Sequence, residues 1–210
     1  MSFVGRVPTP YCFGRTQGEL AHLLVREKYR ELDLTVFGLT DGPAAPWVPP
    51  SPGIRSWETA VAYPATVFCE ALPAFDVDRT GLIPFQVWTA SFLQAAAYAK
   101  AMNARELAGV FFEPYGGIGE GVRLCVHDAH SFRPAATAVH LMAVAQEQAG
   151  SDALWEAKGV REEFFDQLWG SHSVRVQLQE GSCAFAILEG WEGAHTAFCQ
   201  NDCLPTSPME

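Results

Sequence analysis

The spacing of apolar positions changes character along the chain. Leu20, Leu23, Leu24 and Tyr29 fall on one helical face, and Thr16 with Glu19 forms a capping-box pattern ahead of them, which predicts a helix over 16–31. The apolar run 32–40 (LDLTVFGLT) reads as a short strand. Loop 41–53 contains five prolines between positions 43 and 52, which exclude regular structure there. Helical spacing returns over 56–75, interrupted near Pro64 and Pro73. The strongest helical pattern runs from Pro84 to Met102, with Phe85, Trp88, Phe92, Ala95 and Ala96 on one stripe.

Beyond residue 105 the period shortens to two. ELAGVFFEP (106–114) and GVRLCVHD (121–128) predict a hairpin around PYGGIGEG. SVRVQLQEG (173–181) and SCAFAILEG (182–190) predict a second hairpin, with HTAFCQ (195–200) as a third strand. Helical spacing separates the two hairpins, over 134–148 and over 151–169, the latter with Ser151 as its cap.

The stretch AFDVDRTGLIPFQVW (74–88) carries a local motif. Asp76, Asp78 and Thr80 alternate oxygen-bearing side chains, Gly81 supplies a sharp turn, Ile83 follows, and Phe75 and Trp88 flank the segment. This resembles an EF-hand loop, and the resemblance implies a helix-loop-helix in which Asp76, Asp78 and Thr80 offer oxygens to calcium. Val87 stands where that family places a bidentate glutamate, which removes two oxygens and a charge. The predicted class is therefore α+β: a helical first half with an EF-hand-like helix-loop-helix, then two β-hairpins packed with two further helices. A single globular domain over 1–210 is expected, with the tail 204–210 extended or disordered.

Composition narrows the function classes. With 210 residues, 49% of them hydrophobic, the chain can build a core without disulfides or a structural metal. It has 14 Lys+Arg against 24 Asp+Glu, a net charge of −10, and so lacks the basic footprint that nucleic acid requires. No apolar run reaches the length of a membrane span, so membrane insertion is not expected. The six cysteines (Cys12, Cys69, Cys125, Cys183, Cys199, Cys203) are scattered, and MSFVGRVPTP has no secretory pattern. Reduced thiols in a cytoplasmic or otherwise intracellular compartment are the expectation.

Reactive groups do not assemble into a complete signature. GGIGEG (116–121) lacks both a following helix and the Lys-Ser/Thr pair of a phosphate loop. His195, Cys199 and Cys203 recur every four residues, with His172 or Cys183 as a fourth group, and Cys125, His127 and His130 form a second cluster. Neither has paired zinc-knuckle spacing, and no cofactor is expected. Cys12, His127 and Asp128 could form a nucleophilic set only if the fold gathered them. His140, inside AVHLMAV, reads as a core histidine.

Trp47, isolated in PAAPWVPP, is the aromatic most exposed to recognition on sequence grounds, and Trp47, Pro49, Pro50 and Trp57 form the expected partner-binding surface. The sequence thus predicts a non-enzymatic interaction or assembly subunit. It would be an acidic inhibitor of the immunity type, facing a basic protein, or a structural subunit of a larger complex. The alternatives are a Cys-dependent hydrolase or transferase, and a calcium-responsive regulator with one weak EF-hand.

Overall fold

In the computed structural model the described residues are 9, 15–38, 46–117 and 119–201, excluding the side chains of 194, 197 and 199–201. Helix α1 (Gln17–Glu27) starts where its cap dictates: the Thr16 hydroxyl accepts from the Glu19 amide at 3.2 Å, and the Glu19 carboxylate accepts from the Thr16 amide at 2.7 Å. The expected strand over 32–40 has no partner through residue 38, the last described residue of that run. Ser56 caps α2 (Trp57–Thr66), which tolerates Pro64 near its end and tightens into a 3₁₀ turn (Val67–Ala71) before Pro73.

Four antiparallel strands follow: β1 (Phe75–Asp76), β2 (Val87–Ala90), β3 (Val110–Gly116) and β4 (Glu120–Val126), in the order β1-β2-β4-β3. The hairpin expected from 106–128 is the β3–β4 pair, with Phe111 opposite Cys125 and Glu113 opposite Arg123. β2 approaches β4 so closely that a Cβ on Gly121 would collide with the Trp88 carbonyl, which requires glycine there. Helix α3 (Ala95–Asn103) packs on β3 and β4, and its Tyr98 hydroxyl donates to the Leu141 carbonyl at 2.6 Å.

That hydrogen bond fastens the sheet layer to α4 (Pro134–Ala149), whose residues Thr137 to Ala145 are all buried. Around α4 lie α2, α3, α5 (Ser151–Trp155), α7 (Ser173–Gln179) and α8 (Ala184–Asn201). Helix α6 (Glu162–Trp169) closes the core from the other side, where Trp169 stacks on Phe68 with ring centroids 4.0 Å apart. The α+β class of the sequence reading holds, with the sheet and helices meeting in one hydrophobic cluster.

Two element assignments are corrected. Residues 84–94 are not helical: Val87, Trp88 and Thr89 are β-branched or aromatic, and they pair in register with Arg123, Val122 and Gly121. Helix begins only at the alanine-rich Ala95, so no EF-hand helix follows the 76–87 turn. The second predicted hairpin is the helix pair α7–α8. Val174 and Leu178 are buried four residues apart, and Ala184 and Ile187 three apart, spacings that serve a helix as well as alternation serves a strand. Gly181, at φ 82°, ends the first of these helices in a left-handed turn.

Candidate functional site

The 76–87 turn is built for its own backbone. Asp76 Oδ1 accepts from the Asp78 amide at 2.8 Å, and Asp78 Oδ2 accepts from the Ile83 amide at 3.1 Å. A Cβ at Gly81 would run into the Asp78 carboxylate, so this glycine permits a close approach. Thr80 is exposed beside them. The carboxylates proposed as calcium ligands therefore satisfy turn amides, and among the described residues no three His, Cys, Asp or Glu side chains are grouped to hold a metal. Cys12 and Cys203 lie outside the described residues, as does the side chain of Cys199.

The dispersed nucleophile does not form either. Burial pushes the Cys69 thiol up to about 12. Burial, with a hydrogen bond to Glu113, pushes Cys125 up to about 11. Both are neutral thiols near pH 7 and poor nucleophiles. Asp128 accepts from the Ser131 hydroxyl at 2.6 Å and from the His130 amide at 3.0 Å, which holds its carboxyl below the usual range and commits it to a local turn. His140 is buried in α4, and desolvation, with Arg105 nearby, lowers it to about 4, in keeping with a core histidine.

What the fold does assemble is an aromatic groove. Ser56 accepts from the Thr59 amide at 3.2 Å and starts α2 so that Trp57, at the first helical position, stands 57% exposed. The proline-bearing strap at 46–50 brings Trp47 against it edge-on, with centroids 5.5 Å apart and planes at 86°. Pro49 and Pro50 are exposed on the same strap. Arg55 anchors its far end by donating to the Gly81 carbonyl at 3.2 Å. Two tryptophans singled out in the sequence are thus in contact, across ten residues of chain.

Together with Trp57, the groove of about 280 Å³ is lined by Glu58, Gln86, Phe111, Arg123 and His127. Phe111 projects from β3 at 45% exposure and stacks with His127, centroids 6.2 Å apart. Gln86 Nε2 donates to Thr59 Oγ1 at 3.0 Å, while the Gln86 carbonyl accepts from the Leu124 amide at 2.8 Å, which locks the groove floor to both α2 and β4. The Glu58 carboxyl is held below its usual range, first by its own backbone amide and then by the Ser56 hydroxyl. The groove is therefore a set of flat apolar rings bordered by a carboxylate, a guanidinium, an amide and an imidazole, suited to a small ring with one apolar face and a polar rim. A second depression of about 670 Å³, between α5 and α6, is wider and shallower, and its Arg161 already donates to the Glu70 carbonyl.

Sequence reasoning missed Glu58, Gln86, Phe111 and Arg123, and read His127 only as a metal or nucleophile partner. The signal was present in the hairpin: strand alternation turns Phe111, Glu113, Arg123 and Cys125 to the face opposite the buried Val110, Phe112, Val122 and Leu124.

Comparison with known proteins identifies far more than the 76–87 turn. Residues 61–202 match the family described as "Exo-beta-N-acetylmuramidase NamZ, C-terminal". The chain is 28% identical over 209 residues to the peptidoglycan beta-N-acetylmuramidase NamZ of Bacillus subtilis strain 168, covering 91% of this chain and 49% of that protein. A crystal structure of a DUF1343 family protein from Bacteroides fragilis NCTC 9343 superimposes with a TM-score of 0.77 at 23% identity, over 96% of this chain and 58% of that one, and so shares the fold. The chain thus spans about half the length of the curated relative. These matches overturn the expectation of a non-enzymatic interaction subunit, because the family and the curated relative are both named for a hydrolase. They equally displace the Cys-dependent enzyme and the calcium-responsive regulator. The chain belongs to the family of the C-terminal region of the exo-β-N-acetylmuramidase NamZ.

Proposed function

We propose that this chain supplies the saccharide-holding part of an exo-β-N-acetylmuramidase acting on peptidoglycan, with the groove lined by Trp57 and Phe111, and Trp47 against Trp57, as the surface that holds the glycan. The observation that carries the reading is the family match over residues 61–202, which includes Gln86, Phe111, Arg123 and His127. The chemistry of the groove supports it. Pyranose rings carry one face of C–H bonds and a rim of hydroxyls and amides, so they favour flat aromatic surfaces with polar groups at the margin.

Glycoside hydrolysis usually needs two carboxyl groups flanking the scissile bond. Of the residues lining the groove, Glu58 is the one carboxylate. On this reading the groove positions the sugar, and catalytic groups beyond its lining complete the reaction. The work of the chain would then lie at the cell wall, outside the reducing interior expected from its cysteines.

Co-sedimentation with purified peptidoglycan sacculi tests the proposal. Retention of the chain in the pellet, competed by soluble glycan fragments and lowered about tenfold by Trp57→Ala, is the expected outcome. A chain that stays in the supernatant at every sacculus concentration contradicts it.

A further inference from the structure

The polar side chains that border the groove are of two kinds. Glu58, Arg123 and His127 are exposed, so water already serves them. Gln86 lines the same groove, yet only 7% of it is exposed. Its Nε2 donates to Thr59 Oγ1 at 3.0 Å, and Thr59 Oγ1 is itself held by the Ser56 hydroxyl at 3.3 Å. Among the described residues nothing donates to Gln86 Oε1, and that oxygen is not sealed from solvent, so it opens on the groove.

The backbone fixes where this side chain begins. Phe85, buried and next in the chain, stands at φ 62°, a conformation that a bulky residue keeps only where its surroundings impose it. Here the Phe85 amide donates to the Val77 carbonyl at 2.7 Å, and the buried Thr66 hydroxyl donates to the Phe85 carbonyl at 2.8 Å. The Gln86 carbonyl accepts from the Leu124 amide on the other side. Strained backbone beside a buried, half-paired amide is the pattern of a side chain set in place for contact.

We propose that Gln86 is the specificity-determining residue of the groove: its Oε1 accepts one hydrogen bond from a hydroxyl or amide N–H at a single ring position of the bound sugar, and Thr59 is the positioning residue that aims it. The inference rests on the saccharide reading and adds the atom that reads the ligand. A contact at exposed Glu58 or Arg123 exchanges water for ligand and discriminates little. A sugar that covers Gln86 Oε1 without a donor strips a buried acceptor of its water and returns nothing, so it is rejected more strongly.

Calorimetric or NMR titration of the chain with N-acetylglucosamine, and with analogues that each lack the donor at one ring position, tests this. One analogue should bind about tenfold more weakly than the parent sugar. Gln86→Leu, close in size but without the acceptor, should weaken the parent sugar about tenfold and erase that one penalty, while its melting curve reports the fold; Gln86→Met takes its place if the leucine variant does not fold. Thr59→Val should weaken the parent sugar about threefold in the unaltered protein, have no further effect when combined with Gln86→Leu, and be rescued by Thr59→Ser, which restores the hydroxyl. Equal affinity for every analogue, or a penalty that persists in the folded Gln86 variant, would overturn the role of Gln86 and leave the saccharide reading standing. Binding of none of the sugars by the folded chain would overturn both.

Discussion

Trp88 and Trp57 are the same residue put to opposite uses. Trp88 in β2 is fully buried, 4.5 Å from the Phe75 ring, between the sheet and the helices. Trp57, at the first turn of α2, meets one other ring among the described residues, that of Trp47, and leaves most of its surface to solvent. A large apolar side chain held open to water by a capped helix and a proline strap gains little stability from its position, which is the physical mark of a surface kept for contact. The core aromatics account for why the chain folds, and the groove aromatics are the surface on which the proposed saccharide contact depends.

The contrast can be broken by substitution. Trp88→Ala should destabilise the fold by about 3–5 kcal/mol, visible as a large drop in Tm, because it empties a packed core site. Trp57→Ala should leave Tm nearly unchanged while lowering glycan retention about tenfold. Val87→Glu sharpens the correction of the calcium reading. Val87 is fully buried in β2, so the substitution should cost several kcal/mol by forcing a longer, charged side chain into a packed site, and bring no calcium-dependent rise in Tm.

The buried imidazole gives a smaller effect with a defined sign. His140 has a folded pKa near 4 against an ordinary value of 6.5. Protonation therefore favours the unfolded chain. Stability is fully present above pH 6.5 and falls by about 2 kcal/mol as pH drops from 6.5 towards 4. His140→Leu should flatten that part of a pH–stability curve, measured by urea unfolding. The smallest effect belongs to the groove's support: Ser56→Ala removes the cap of α2 and should cost about 1 kcal/mol, with a measurable loss of sugar affinity because Trp57 loses its fixed starting point.

Much of this architecture was legible where local chemistry and tertiary packing agree. The Thr16–Glu19 capping box, the β3–β4 hairpin and α4 all stand close to their predicted bounds. Sequence reading failed where one apolar pattern satisfied two periods. Val174, Val176 and Leu178 alternate like a strand, yet Val174 and Leu178 also share a helical face, and packing against α4 and α6 decided for helix. Phe85, Trp88 and Phe92 fit a helical stripe, but pairing with β4 claimed 87–90 for the sheet.

The site was legible in part. Trp47 was conspicuous among its prolines, while Arg123 and Gln86 are ordinary residues until the sheet places them beside α2. Their role depends on contacts between distant segments, which periodicity does not encode. The EF-hand-like pattern arose because Asp and Gly serve tight turns for the same reason that they serve cation loops: short oxygen-bearing side chains close to the backbone.

The six tryptophans allow one direct measurement of the central claim. In a proton–nitrogen correlation spectrum each indole N–H reports its own surroundings, and titration with a soluble peptidoglycan disaccharide separates groove from core. The account predicts shifts confined to the indoles of Trp47 and Trp57, with those of Trp88, Trp155 and Trp169 unmoved. A spectrum in which the Trp47 and Trp57 signals stay in place at saturating disaccharide would contradict it.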